Sequence, residues 1–448
     1  MIDKNFECAI SSVVKKYFSA QYTDSLTVFD DVSERLEGID LAPIELSHLR
    51  KLLRLFFLGQ LTGLPSLRCI MDRFGITSNH EQVKYNKLCK KLTNSNLHKM
   101  FEFSFEQHLQ IILKDYSEKH PCKWSKCMVT AVLDDSVFKQ WLQQGDAHAA
   151  YDSCYGRFFS GQVGHVVYGF QVVTFGLVID DIFYPLYFES VKKEPVEYDE
   201  KGKKIPASEK ATVKVAKKLI AKWHIFVKKL KTQGVEIPPI YFSCDSGYSD
   251  VELSNCCQSA GLSYISVPKM NHNITYDNAQ IKLSNWVEDV FIPLENAHKD
   301  KEKHLKDAEK TPFCYRFRAY YNCQKRIVTW LAFRLNRSNK VTLIYTTDKN
   351  IKGITLRRHW FARTYIEQFF KMLKHNMKIQ NSITITKHAF ELKLFRFAFV
   401  ALHIQLLVKM MKRKLKKFKE RGFGFLRMFI QSDKSILDLL HKNIIIKH

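Results

Sequence analysis

Apolar and polar positions along the chain follow two periods, and the change from one to the other divides it. In residues 1–125 the apolar positions recur at helical spacing. Leu49, Leu52, Leu53, Leu55, Phe56 and Phe57 predict a strongly apolar helix, which Gly63 and Pro65 end. Ser66 is placed to cap a second helix that closes near Gly75, and residues 84–101 read as a basic amphipathic helix. Two readings of this region stand side by side: a helix-turn-helix variant whose basic helix tracks a groove, or a plain helical bundle with a basic surface. From residue 126 the period shortens. Residues 128–133 (MVTAVL) predict a short buried strand, and 164–179 and 182–188 an antiparallel pair joined at Asp180-Asp181. Residues 190–209 have the polar, Pro- and Gly-punctuated composition of an exposed loop. An amphipathic helix follows over 211–230, and after Pro238-Pro239 a further strand over 240–244.

Residues 360–374 (WFARTYIEQFFKMLK) plot as a two-faced helix at about 100° per residue. Phe361, Tyr365, Ile366, Phe369, Met372 and Leu373 form an apolar arc, while Trp360, Arg363, Glu367, Lys371 and Lys374 share the other side. A lone Glu on a basic face is ordinarily an i, i+4 ion-pair partner worth about 0.2–0.5 kcal/mol. Two acidic sites upstream give it a second reading. Asp134-Asp135-Ser136 closes the first strand, and Asp245-Ser246-Gly247-Tyr248 closes the strand at 240–244. Carboxylates at the end of an apolar strand are costly unless a cation meets them, or unless they merely close the strand in an Asx-turn. The order strand, strand, strand, helix, strand, late helix is that of a ribonuclease-H-like α/β fold, whose first and fourth strands lie side by side. Such a fold brings Asp135 and Asp245 together under Glu367, with Asp134 the alternative first acid. Three converging carboxylates call for hard divalent cations. Two such ions about 4 Å apart activate a water or a 3′-hydroxyl and stabilise the leaving oxygen of a phosphodiester.

Composition narrows the partner. The 448 residues hold 70 Lys+Arg against 45 Asp+Glu, a formal net charge of +25, which calls for a polyanion. Nucleic acid suits this better than a membrane, since no run of about 18 apolar residues is evident and MIDKNFECAI lacks the apolar core of a signal peptide. The 11 Cys form no CxxC pair and the 17 His no HExxH, so scattered reduced thiols in a cytoplasmic protein are expected, not a zinc site.

These residues resemble those of DDE transposases of the bacterial insertion-sequence type. More narrowly, they resemble the branch with a β-rich insertion before the last acid and a Tyr-x2-Arg-x3-Glu-x6-Lys signature. Here that signature reads Trp360, Arg363, Glu367 and Lys374 with every spacing kept, Trp standing where the family has Tyr. Asp134-Asp135-Ser136 resembles the family's Asp-Asp-Thr motif, with Ser for Thr, and residues 341–348 (VTLIYTTD) resemble the strand before the catalytic helix. The resemblance covers residues 126–400. It implies a ribonuclease-H-like core in two parts, 126–265 and 345–400, interrupted by a β-rich insertion at 266–344. A helical N-terminal domain for DNA binding (1–125) and a basic helical C-terminal region (401–448) flank it.

The activity implied is that of a DNA transposase, which cuts at the ends of its own mobile element and joins the 3′ ends to target DNA. Asp135, Asp245 and Glu367 would hold two Mg2+ ions, or Mn2+ as a substitute, with Asp134 the alternative ligand. Arg363 and Lys374 would grip the DNA backbone beside Trp360, and the helical plot adds Lys371. The partners implied are duplex DNA and, in the DNA complex, a second copy of the chain, with no membrane and no small-molecule substrate; the expected location is the bacterial cytoplasm, on the nucleoid. Two other classes share the pattern: a structure-specific nuclease without strand transfer, and a non-catalytic DNA-binding relic. In the insertion, residues 314–336 alternate apolar and basic as strands facing DNA do, and 295–310 predict an exposed charged loop. Trp286 and Trp330 fill the core or stack on an unpaired base. Residues 395–411 predict a helix packed on the core, and the eight cations of 409–421 a solvated face or a set of phosphate contacts.

Overall fold

The computed structural model describes residues 42–63, 98–119, 128–139, 154–192 without 162, 209–303, 313–335, 340–381, 387–415 and 423–432, with isolated positions between 12 and 91. Its longer helices are α1 (Pro43–Thr62), α2 (His98–Lys119), α3 (Ala211–Thr232), α4 (Val251–Ser259) and α5 (Ile292–Lys301). Then come α6 (Gly353–Phe361), α7 (Arg363–Lys371), α8 (Lys387–Lys414) and α9 (Phe423–Ser432). The strands of the first half are β1 (Val129–Lys139), β2 (Tyr155–Ser160), β3 (His165–Ile179), β4 (Ile182–Ser190), β5 (Ile240–Cys244) and β6 (Leu262–Ser266). Those of the second are β7 (Asn273–Tyr276), β8 (Ala279–Lys282), β9 (Cys314–Tyr321), β10 (Arg326–Arg334) and β11 (Val341–Thr346).

The architecture is mixed α/β, with all 11 described strands in one mixed sheet. β1 is its axis. On one side it pairs antiparallel with β3 along its whole length, from Val129↔Ile179 to Lys139↔Gly169. On the other it pairs parallel with β5, from Thr130↔Tyr241 to Leu133↔Cys244. β3 carries β4 and β2 on its outer edge, and β5 carries β6 in parallel. Beyond β6 the sheet runs antiparallel through β11, β10, β9, β7 and β8. The hairpin from β3 to β4 turns at Asp180 and Asp181, whose φ of 50° and 65° is the left-handed pair that a two-residue turn between twisted strands requires.

The expected first strand stops at residue 133, but β1 continues through Asp134 and Asp135 to Lys139, because β3 supplies a partner for every residue of that stretch. Glu295, expected in an exposed loop, lies on α5 and is buried, its carboxylate bound at 2.8 and 2.9 Å by Arg334 of β10. Lys299, four residues on along α5, adds a second cation at 3.1 Å, and burial of that acid is tolerable only with such partners present. The rest of that charged stretch, 304–310, is outside the described residues. So are 193–208, most of the region between Gly63 and α2 where the Ser66-capped helix and the basic helix were expected, and Lys416, Lys417, Lys419 and Arg421.

Helices cover both sheet faces. α3 turns Val213, Ala216, Ile220, Trp223, Val227 and Leu230 inward at helical spacing, and Trp223 meets Phe175 of β3 at 5.8 Å. α6, α7 and α8 take the other face. α8 is long and apolar enough to cross a membrane, where the sequence suggested no such stretch, but 67% of its most apolar window is buried inside the protein. Phe56 of α1 packs on Phe397 of α8 at 4.8 Å, and Phe101 of α2 on Phe395 at 5.8 Å. The N-terminal helices thus share one apolar core with the sheet. Trp286 and Trp330 are both fully buried, which rules out stacking on a base. They belong to a file of rings across the sheet: Trp286–Phe317 at 4.1 Å, Phe317–Trp330 at 5.9 Å, Trp330–Tyr345 at 5.3 Å and Tyr345–Tyr264 at 6.1 Å. The file continues through Tyr264–Phe242 at 5.8 Å to Phe242–Phe175 at 6.3 Å.

Candidate active site

The parallel ladder of β1 and β5 stops at Leu133↔Cys244, so the next residues on each strand, Asp134 and Asp245, are neighbours where β5 ends. Alternation along β1 decides which of its two acids faces the late helices. Thr130, Asp134 and Phe138 share one parity. Thr130 Oγ1 lies 2.7 Å from His359 Nδ1 on α6, and Phe138 meets Phe370 of α7 at 6.2 Å. Asp134 therefore faces α7.

Asp135 belongs to the opposite face. There the Gln171 amide donates to its carboxylate at 2.6 Å and the Tyr248 hydroxyl at 2.8 Å. The Tyr248 carbonyl in turn accepts from the Tyr264 hydroxyl. Neither Gln171 nor Tyr248 was singled out from the sequence. The signal for Gln171 was its isolation, as a lone amide in the apolar run HVVYGFQVVTFGLVI.

α7 brings one guanidinium to two carboxylates. Arg363 Nη1 is 3.1 Å from Asp245 Oδ1, and Arg363 Nη2 is 3.1 Å from Glu367 Oε1. The Arg363 side chain is 19% exposed, against 48% for Asp245 and 40% for Glu367, so the acids stay open to solvent while the cation between them does not. Burial, then the adjacent Asp135 carboxylate, pushes the Asp134 carboxyl up to about 7, against the pull of Arg363. Burial also pushes the Lys374 ammonium down to about 8, against the pull of Asp134 and Asp135. Lys374 Nζ lies 5.3 Å from the centre of the Phe138 ring, which fixes it beside this cluster.

The other members of the expected DNA-contacting set are elsewhere. The helical plot assumes one regular helix over 360–374, whereas α6 ends at Phe361, α7 starts at Arg363, and Met372–Asn376 forms a π-helical turn. Trp360, before the break, packs against Phe333 at 5.7 Å and Phe361 at 5.0 Å in a separate apolar cluster. Lys371 is exposed and lines a groove on the flank of α7. Tyr365, placed on the apolar arc by the plot, donates its hydroxyl to Asp181 at 2.7 Å.

Asp134, Asp245 and Glu367 are oxygen donors of the kind that suits Mg2+ or Mn2+. Among the described residues, no three His, Cys, Asp or Glu side chains converge closely enough to hold an ion by themselves. The positive charge shared by Asp245 and Glu367 is the Arg363 guanidinium. No protein-family model matches the chain, and no curated protein does.

Proposed function

We propose that the chain is a DNA transposase, which cuts phosphodiester bonds at the ends of its own mobile element and joins the 3′ ends to target DNA. The strand order β4-β3-β1-β5-β6 supports this reading, because three antiparallel strands followed by two parallel ones is the order of a ribonuclease-H-like core. The β-rich segment between β6 and β11 corresponds to the insertion before the last acid. The single observation that carries the reading is the ion-pair bridge from Asp245 through Arg363 to Glu367, beside Asp134. It joins acids far apart in sequence at the end of one strand, where a phosphodiester has access to them.

In this proposal Asp134 takes the first acid's place, and Asp135, held by Gln171 and Tyr248, fixes the strand beside it. Asp134, Asp245 and Glu367 would hold the two Mg2+ ions, which when bound supply an activated water or 3′-hydroxyl and stabilise the leaving oxygen. Arg363 moves from the acids to a phosphate of the bound strand, and Lys374 keeps a positive charge beside Asp134. Duplex DNA is the partner, with a homodimer in the DNA complex. The test is Asp245→Asn, read by DNA binding and by cleavage of a plasmid carrying the flanks of the gene. Binding should persist and Mg2+-dependent cleavage vanish, since an amide cannot replace an anionic ligand. A variant that still cleaves at about a tenth of the parent rate or better removes Asp245 from the site. Cleavage by the parent without joined products leaves a nuclease on the same fold.

A further inference from the structure

A groove of about 1010 Å³ runs along the flank of α7 facing away from the acids, between α7, the β3–β4 turn and the C-terminal half of α8. We propose that this groove holds the sugar-phosphate backbone of duplex DNA beyond the cleavage point. The proposal rests on the DNA-processing reading of the chain and extends it to a second surface.

Charge is the first support. The groove gathers cations from two distant segments, Lys371 on α7 and Lys409, Lys412 and Arg413 on α8. Its two acids are already engaged. Asp180 is bound through its carbonyl by Lys409, and its carboxylate lies 3.7 Å from Lys409 and 3.6 Å from Arg413. Asp181 accepts the Tyr365 hydroxyl at 2.7 Å. Lys371 and Lys412 are exposed and form no ion pair among the described residues. An ordinary reason for cations at the end of α8 is the helix dipole, which Lys412 and Arg413 complement. Lys371, in the last turn of α7, complements its own helix's dipole in the same way, but that reason does not account for cations of two separate helices lining one groove.

Position is the second support. Lys371 lies eight residues after Arg363, about 12 Å along the axis and about 80° around it. Each strand of a duplex carries one phosphate per 3.4 Å of axis, so that distance covers three to four base pairs. A duplex that lies along α7 with a phosphate on Arg363 therefore passes Lys371 within half a turn.

The test is the double variant Lys371→Glu/Lys412→Glu, with Lys371→Gln/Lys412→Gln as the milder pair should charge reversal impair folding. Binding to a random-sequence duplex is titrated against salt by fluorescence anisotropy. Two lost phosphate contacts should make the slope of log affinity on log salt shallower by about 1.8 in either pair. An unchanged slope overturns the proposal. If the slope is unchanged but the oligomeric state shifts in sedimentation, the groove is a contact with a second copy. If it is unchanged but the protein melts lower, the groove is covered by the chain itself. A parent protein without salt-dependent binding removes the DNA reading as well, whereas a steep parent slope kept by the variants removes only the groove.

Discussion

Arg363 sits between Asp245 and Glu367, where the proposed metal ions would bind, so the guanidinium and a metal ion would compete. Each Arg363 contact is 3.1 Å long and ends on a carboxylate that is 48% or 40% exposed. Solvent screening reduces such pairs to about 0.5–1 kcal/mol each. An ion that displaces the guanidinium forfeits both, about 1–2 kcal/mol, or about 5- to 30-fold in affinity. Arg363→Ala should therefore bind Mn2+ about 5- to 30-fold more tightly than the parent in the absence of DNA. The assay is an electron paramagnetic resonance titration of free Mn2+, which needs no turnover. Arg363→Lys keeps the charge and should move affinity less. Duplex DNA should raise the parent's Mn2+ affinity, because phosphate draws the guanidinium away, and leave the Arg363→Ala protein unaffected. An Arg363→Ala protein that binds Mn2+ as weakly as the parent, or more weakly, refutes the competition.

Asp134→Asn should abolish cleavage, while Asp135→Asn, which disturbs the Gln171 and Tyr248 hydrogen bonds, should lower stability by about 1–3 kcal/mol and keep measurable cleavage. The reverse pattern in a cleavage assay beside a thermal melt restores Asp135 as the first acid. Phe369 is 1% exposed and meets Phe183 at 5.0 Å, so Phe369→Ala should cost about 3–5 kcal/mol in denaturant unfolding; a loss below about 1 kcal/mol would mean that α7 does not pack as described. Burial pushes the Glu391 carboxyl up to about 7, against Lys387. With the folded value above the unfolded one, its contribution is fully present below the ordinary Glu range and is lost as pH rises through about 7. Glu391→Gln should thus raise the melting temperature relative to the parent more at about pH 8 than at about pH 5. An equal shift at both would show that Glu391 does not ionise in that window.

The β3–β4 hairpin and α3 were legible because each carries a long, unbroken period, and Asp180-Asp181 sits where the two apolar runs meet. The acids were legible by type and position on the chain. Which of Asp134 and Asp135 faces α7 was not, because β1 continues past both only through its pairing with β3, and parity then decides the face. Glu295 has a local partner in Lys299, four residues on, but its burial also uses Arg334 of β10, which no local pattern reveals. Lys371 and Lys374 were assigned to one face on the assumption of a regular helix. The break at Ala362 and the π turn after Lys371 depend on how α7 seats on β1 and α8, which the helical period does not encode.

The file of rings from Trp286 to Phe175 makes the outer strands and the central ones a single thermodynamic unit. The rings run unbroken from β9 through β10 and β11 to β6, so heating should give one cooperative transition instead of an early loss of the outer strands. The same continuity bars shortening by evolution or design. A chain trimmed of everything between β6 and α6 would leave β6 as a bare edge, with Tyr264 stripped of the Tyr345 ring that now lies 6.1 Å away. An unpaired apolar edge of that kind recruits other chains, and the trimmed protein would aggregate before it could stand as a smaller fold.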